Sequence, residues 1–569
     1  MPVIFSRRVA SLAVFAIVAL NARPALAENA VGNWFGAMDL HLLTFVHIEM
    51  GGRGLTGSID THELPAGPKD HTDHAPLANL SATPDRLTFH FSQATSSGIF
   101  NGSWNAAKKG WSGQVAWEDG RTSPLILYRT TATTLVTAKM PPQKEVNDTC
   151  AFDKVAQAYL NNLTFMGAVL VARGDRILLD KAYGFANETW KIPTTTNTRF
   201  LIASVSKQFA AASILMLEEQ GKLNVDDPVS KYIPGTPEAW KQITIHQLLT
   251  HTSGVPNTDT SDRGKTSPGE PVTPDQIIAD AQKRRLDFSP DSRYGYSNTN
   301  YTLLARIVEN VSGDTYAAFL ARHIFEPLGM EETSLDNGID LIPRYATSYD
   351  LASSSLINAS YEDPGWTFGA GSVVTTTHDL LRWERGLMGG KVLSPATLQR
   401  MLTPYKNRYG YGVVHNPFLG YSVITHNGLF RGFSSTLSYF PDDKLTVIVL
   451  NNLRSDLTQG LADKLAMVAH GVSVSLPPAR AFAHVSSAVL KTYAGTYMIN
   501  GDTKTDFSVD GNKLIMKKGD ATWELSAQSD TRFFLTSPEI NIQFVQGDDG
   551  KMSMVYEHGG QKINTRRTD

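Results

Sequence analysis

The stretch Phe200–Leu217, Phe-Leu-Ile-Ala-Ser-Val-Ser-Lys-Gln-Phe-Ala-Ala-Ala-Ser-Ile-Leu-Met-Leu, constrains the fold more than any other part of the chain. It is rich in Ala and Leu and free of Gly and Pro, which predicts a buried helix. At its start Ser204 and Lys207 stand three residues apart. Residues so spaced share a helix face, so the ammonium can lie beside the hydroxyl. A free serine hydroxyl is a weak nucleophile, and an adjacent lysine becomes its base when burial or a neighbouring cation brings the amine pKa towards neutrality. The helix start also offers unpaired N–H groups to an oxyanion. Ser-x-x-Lys carries little weight by itself, because a chain of this length holds on the order of two by chance.

A length of 569 residues is too much for one core, and predicts roughly two to four domains. The first residues combine a basic head with Arg7 and Arg8, an apolar run from Val9 to Ala22, and Ala25-Leu26-Ala27. This pattern predicts a secretory signal peptide over 1–27, cleaved after Ala27, and so a periplasmic or secreted bacterial protein. The apolar run is too short for a spanning helix. The paired arginines raise the twin-arginine export route without requiring it. A net charge of -3, made more negative once Arg7, Arg8 and Arg23 leave with the signal, does not suggest a nucleic-acid binder. Cys150 is the only cysteine, which rules out an intramolecular disulfide and a Cys-based metal site. No cofactor or metal is expected, and the oligomeric state is left open.

Residues 28–138 alternate with a period of two, as in Val46 and Ile48, in Leu87, Phe89 and Phe91, and in Trp111, Val115 and Trp117. They predict a small all-β domain, a barrel or a sandwich. His71 and His74, with Asp70 and Asp73, lie in a Pro- and His-rich segment read as a solvated loop rather than a metal site. A linker over 139–149, with Pro141 and Pro142, leads to a mixed region over 150–475. There a strand pair turns at Gly174-Asp175, and a short helix begins at Thr244. A polar loop from Val255 to Thr273 is long enough to border a site. A helix from Tyr301 to Val311 carries Leu304, Ile307, Val308 and Val311 on one face. Another follows Gly369-Ala370-Gly371-Ser372, with Asp379 as favourable charge in its first turn. Thr436–Phe440 and Leu445–Leu450 predict a buried hairpin. A second linker, 476–486, precedes residues 487–569, which again read as strands with turns at Asp510-Gly511 and Asp549-Gly550.

Three elements stand in order: Ser204-Val205-Ser206-Lys207, Tyr296-Ser297-Asn298 and His426-Asn427-Gly428. With Leu248-Leu249-Thr250-His251-Thr252-Ser253-Gly254 and Phe325-Glu326-Pro327-Leu328-Gly329-Met330, they resemble the class C β-lactamase, DD-peptidase and serine-esterase family, the penicillin-recognising serine hydrolases. The resemblance spans about residues 150–470, and the outer domains resemble the β-barrel appendages of some relatives, the C-terminal one lipocalin-like. It implies an α/β (α+β) β-lactamase/transpeptidase-like central domain, in which an antiparallel sheet covered by helices packs beside a helical region. It also implies an acyl-enzyme mechanism. Ser204 attacks, Lys207 and Tyr296 share the proton transfer, and Asn298 bonds Lys207 and the substrate amide. The N–H groups of Ser204 and Leu429 form the oxyanion hole, and Gly428 lets the strand come close to the ligand.

His426 and Asn427 depart from the Lys-Thr-Gly of most such β-lactamases. A histidine of pKa ~6.5 is mostly neutral at pH 7, so a carboxylate loses a fixed cation there. An efficient lactamase is therefore disfavoured, and His426 is expected to act mainly on substrate choice. The expectation is an exported, metal-independent serine hydrolase acting on a small peptide, amide or ester substrate, a peptidase ahead of the rest. Carboxylesterase, then β-lactamase or DD-carboxypeptidase, and a non-catalytic protein binding cell-wall fragments are the alternatives. His251 reads as structural, and Trp366 as either cleft or core.

Overall fold

The computed structural model describes residues 30–38, 42–51, 54–63, 71–92, 97–106, 109–117, 122–130, 149–258, 269–352, 355–472, 474, 476–477, 482–499, 503–519, 521–535, 540–547, 549–558 and 561–568. The expected signal peptide, Asp70, the linker prolines Pro141 and Pro142, and 259–268 of the expected polar loop lie outside them. The chain falls into two compact units, Met1–Pro142 with Pro417–Tyr421 and the remainder.

In the first unit eight strands run from Gly32–Met38 to Thr122–Thr130, each antiparallel to the next, and the first pairs with the last. The expected barrel-or-sandwich is thus a closed barrel, which leaves no strand edge exposed. Side chains fill it: Trp34, Trp104 and Trp111 meet edge to face at 5.3–6.3 Å. The loop expected around His71 and His74 is corrected. His71–Ala82 is a strand, with His71 and Thr72 paired to His62 and Thr61. Its polar, Pro-containing sequence carries no strand signal, but the neighbouring strand needs a ladder partner, and that tertiary demand overrides local preference.

The second unit is built on a six-stranded antiparallel sheet in the order Arg176–Tyr183, Gly167–Arg173, Leu445–Asn451, Phe433–Phe440, Ile424–Phe430, Val414–His415. Every residue of Leu445–Asn451 is buried, as expected of a central strand covered on both faces. Helices Thr149–Asn161, Thr377–Met388 and Thr458–Ala469 pack on the sheet. The helical region centres on Lys207–Glu219, buried almost all round, packed against Asn298–Ser312. The short helix Ile245–Leu249 starts at a reciprocal cap between Thr244 and Gln247. Ser204 and Lys207, expected within one helix, are divided. Ser204 lies in a 3₁₀ turn, Ala203–Ser206, and Lys207 opens the α-helix after it. Because a 3₁₀ turn eclipses residues i and i+3, the two side chains still meet.

Residues 487–493, read as part of a strand region, form a helix capped by Ser486, with Leu490 and Tyr493 buried at helical spacing. Eight antiparallel strands follow, from Gly495–Ile499 to Gln561–Arg566. They nearly close on themselves, Thr568 N–H donating to Thr496 C=O at 2.8 Å, around Tyr497, Phe507 and Phe544. Among the described residues no helix is long and apolar enough to cross a membrane.

Candidate active site

The strand Phe200–Leu201 leads into Ala203, a non-glycine residue held at φ +44°. That left-handed conformation costs a residue with a Cβ roughly 1–2 kcal/mol and turns Ser204 out of the strand. The fully buried Lys207 reaches back. Its Nζ donates to Ser204 Oγ at 3.0 Å, Asn298 Oδ1 at 2.8 Å and the Ala370 carbonyl at 2.9 Å. The three N–H donors of the ammonium are thus all placed; when it gives up a proton, the amine keeps two of them on Asn298 and Ala370 and turns its lone pair towards Ser204.

Tyr296 comes to the same oxygen from the other side, its hydroxyl donating to Ser204 Oγ at 2.9 Å. The Lys207 ammonium lies 4.8 Å from the Tyr296 ring centroid. His251 holds this tyrosine in place. Fully buried and at φ +56°, it accepts at Nδ1 from Ser297 N–H and Asn300 Nδ2, each at 3.2 Å. Its carbonyl accepts from Gly295 N–H, and its ring packs 4.3 Å from that of Tyr296. Asn257 Oδ1 receives the Asn298 N–H at 2.9 Å. Burial, and then the Lys207 charge, hold the His251 pKa well below its usual value, so the ring is neutral and acts as a fixed strut.

The third element is the strand Ile424–Phe430, joined to Phe433–Phe440 by the two-residue turn Arg431-Gly432, both with positive φ. Phe430 and Phe433 flank this turn as the hydrogen-bonded pair, which makes Leu429 and Ser434 the next, non-hydrogen-bonded pair. Leu429 N–H therefore points away from the hairpin partner. The strand on that other side, Val414–His415, pairs only with Thr425 and Ile424. A Cβ at Gly428 would lie 2.3 Å from the Ile202 carbonyl and 2.9 Å from Ser204 N, so the strand runs directly against the serine's turn.

Ser204, Lys207, Tyr296 and Asn298 thus converge, with Gly428 and Leu429 beside them. His426 sits behind, 3% exposed, accepting at Nε2 from Tyr409 OH at 3.1 Å and donating from Nδ1 to the Asn427 carbonyl at 2.6 Å. Asn427 and Leu429 present exposed side chains. Trp366 is buried. Sequence reasoning missed the Ala370 carbonyl, Asn257 and Tyr409. The glycine-flanked Ala370 was the available signal; the other two sit in polar loops without one. Among the described residues no group of three or more His, Cys, Asp or Glu could hold a metal ion.

Burial, reinforced by the Lys207 charge, pushes the His426 pKa down to about 3. The folded value lies below the unfolded one of about 6.5, so between the two the unfolded chain holds the extra proton. The neutral ring's contribution to stability is whole above about pH 6.5 and falls by about 1.4 kcal/mol per pH unit as pH drops towards 3. Urea midpoints of wild type and His426→Gln should therefore draw together between about pH 7 and pH 4. A gap independent of pH would mean that the ring is not held neutral.

A model of the Beta-lactamase family matches residues 152–471. A penicillin-binding protein of Bacillus subtilis (strain 168) is 30% identical over 434 residues, covering 71% of this chain and 95% of its own length. Of solved structures, a penicillin binding protein from Bacillus halodurans is 28% identical with TM-score 0.50, over 56% of this chain and 98% of that one. A D-amino acid amidase from Ochrobactrum anthropi SV3 has TM-score 0.52 at 21% identity, over 57% of this chain and 98% of that one, a likeness of fold.

Proposed function

We propose, on the premise that the chain belongs to the Beta-lactamase family, that it is an exported serine hydrolase cleaving amide or ester bonds through an acyl-Ser204 intermediate, with peptides as its main substrates. The observation that carries this is the single oxygen, Ser204 Oγ, within hydrogen-bond reach of both Lys207 Nζ at 3.0 Å and Tyr296 OH at 2.9 Å.

As Ser204 Oγ adds to the substrate carbonyl, its proton passes to the Lys207–Tyr296 pair, and the carbonyl oxygen takes the negative charge. The Ser204 and Leu429 N–H groups stabilise that oxyanion. When the tetrahedral species collapses, the leaving nitrogen or oxygen takes a proton from Tyr296, and the acyl group stays on Ser204. Water then adds to the ester and gives its proton to the same pair, which passes it to Ser204 Oγ as the second tetrahedral species collapses to the acid and the free serine. Tyr296→Phe keeps the ring packing on His251 and removes the shuttle. Its kcat should fall about a hundredfold or more, and an unchanged kcat/KM would remove the tyrosine from the mechanism.

The neutral His426 supports peptides and esters over β-lactams, because it places no fixed charge where a substrate carboxylate would meet the strand. A fluorescent penicillin or fluorophosphonate should label the native protein, and the label should map to Ser204. Failure to label under native conditions would favour the non-catalytic binding protein. In a screen of D- and L-peptide amides, p-nitrophenyl esters and nitrocefin, turnover of the first two groups should outrun the lactam. Rapid nitrocefin hydrolysis would overturn the substrate preference and leave the acyl-enzyme intact.

A further inference from the structure

We infer that the partly buried ion pair Asp336–Arg431 is a positioning device that sets the distance between the two halves of the oxyanion hole. The inference rests on the acyl-Ser204 reading. The two N–H donors belong to separate elements: Ser204 to a turn after the strand Phe200–Leu201, and Leu429 to the tip of a hairpin. The Ser435 hydroxyl, bonded to the Ile202 carbonyl at 2.6 Å, and the close approach of Gly428 tie the two elements together below the tip, and the tip beyond Gly428 needs a second tie. Donors must lie about 2.7–3.1 Å from the developing oxyanion, so the separation of the two has to be held to a few tenths of an ångström.

The connection can be traced bond by bond. Phe200–Leu201 pairs with Val374 and Thr375, and Ser334–Leu335 pairs with the other edge of the same strand. Val373 N–H donates to Ser206 Oγ at 3.1 Å, and Asp336 N–H to the Ser372 carbonyl at 2.8 Å. This small sheet therefore moves as one piece with the Ser204 turn and with the Ala370 carbonyl that anchors Lys207. Asp336 stands at its end. Its Oδ2 accepts from Arg431 at 2.9 Å and from Tyr345 OH at 3.1 Å, and its Oδ1 accepts from Gly338 N–H at 2.9 Å.

Arg431 is the first residue of the hairpin turn, two positions beyond Leu429 and held at φ +51°. The side chains of Arg431 and Asp336 are only 17% and 7% exposed, so water screens the pair weakly. The Tyr345 ring stacks at 5.5 Å on Phe433, across the same turn, so the carboxylate grips the hairpin tip from both sides. Arg431 and Asp336 touch none of the reacting groups described above. They act through the position of Leu429.

The test compares wild type with Arg431→Met, Asp336→Asn, Arg431→Lys and the double variant Arg431→Met/Asp336→Asn, using a p-nitrophenyl ester and fluorophosphonate inactivation. Both single variants should lose roughly ten- to a hundredfold in kcat, with KM nearly unchanged and the inactivation rate falling in parallel. Arg431→Lys should recover part of the loss, and the double variant should be little worse than either single one. Thermal unfolding separates positioning from loss of folded protein, since activity per folded molecule is the quantity compared. Should Arg431→Met not fold, Arg431→Lys and Asp336→Asn carry the same comparison. Full kcat in folded variants, or a loss confined to KM, would overturn the inference while the acyl-enzyme reading stood. A wild type that neither takes the label nor turns over the ester would overturn both.

Discussion

Lys207→Met is expected to bring turnover down to the level of Ser204→Ala, a loss of at least about 10⁴-fold in kcat/KM, while the protein still folds. Methionine matches the lysine stem in length and apolar character and fills the same buried space. The substitution leaves Asn298 Oδ1 and the Ala370 carbonyl without the Lys207 donor, a cost of roughly 1–3 kcal/mol each. Removing a buried ammonium, with its desolvation penalty, offsets part of that. No neighbour can take over as base. His426, at a pKa of about 3, is too weak at neutral pH, and His251 has its Nδ1 committed to Ser297 and Asn300. Tyr296 faces Ser204 as a hydroxyl donor that loses its cationic neighbour in this variant, which leaves its phenolate less favoured. Steady-state kinetics on a p-nitrophenyl ester, with circular dichroism to verify the fold, checks this. A Lys207→Met protein within tenfold of wild type would place the proton acceptor elsewhere.

The parts of this site that could be read from sequence are those whose signal is local. Ser204 and Lys207 lie within one turn, and Tyr296 and Asn298 lie two residues apart where a loop enters the helix Asn298–Ser312, so residue type and spacing expose them. The Ala370 carbonyl has no side-chain signature and lies 163 residues from the amine it receives. Tyr409 meets His426 through a loop whose course depends on the whole sheet. The same divide runs through the fold. Period-two alternation exposed the strands of the first barrel, but closure is a matter of register between its first and last strands, as in Asn33 opposite Thr130. Alternation cannot encode that, so barrel and sandwich stayed equal. His71–Ala82 failed as a strand for a related reason, since its pairing comes from its neighbours rather than from its own residues. The Ser487–Tyr493 helix was hidden because its two buried side chains, Leu490 and Tyr493, are too few to establish a period.

Gly428→Ala should be the most damaging change that removes no functional atom. The added methyl would stand 2.3 Å from the Ile202 carbonyl, 2.7 Å from Ser435 Oγ and 2.9 Å from Ser204 N. Ser435 can rotate, although its hydroxyl already donates to the Ile202 carbonyl at 2.6 Å. The other two atoms are backbone and cannot rotate away. Relief therefore requires the strand Ile424–Phe430 to draw back from the serine's turn, which moves Leu429 N–H away from Ser204 N–H. Two donors that no longer reach one oxygen act as a single donor, and loss of one such donor costs about 10²–10³-fold in kcat. Overpacking adds roughly 1–3 kcal/mol of destabilisation, visible as a lower Tm. Gly511→Ala is the contrasting control, because Gly511 has a positive φ, +57°, where Gly428 has none, but has open space around its Cβ position and lies in the turn between the C-terminal strands Thr503–Asp510 and Lys513–Lys518. It should lower stability and leave kcat alone. A folded Gly428→Ala protein with wild-type kcat would mean that the strand does not supply the second oxyanion donor, and Leu429 would lose its part in the reaction.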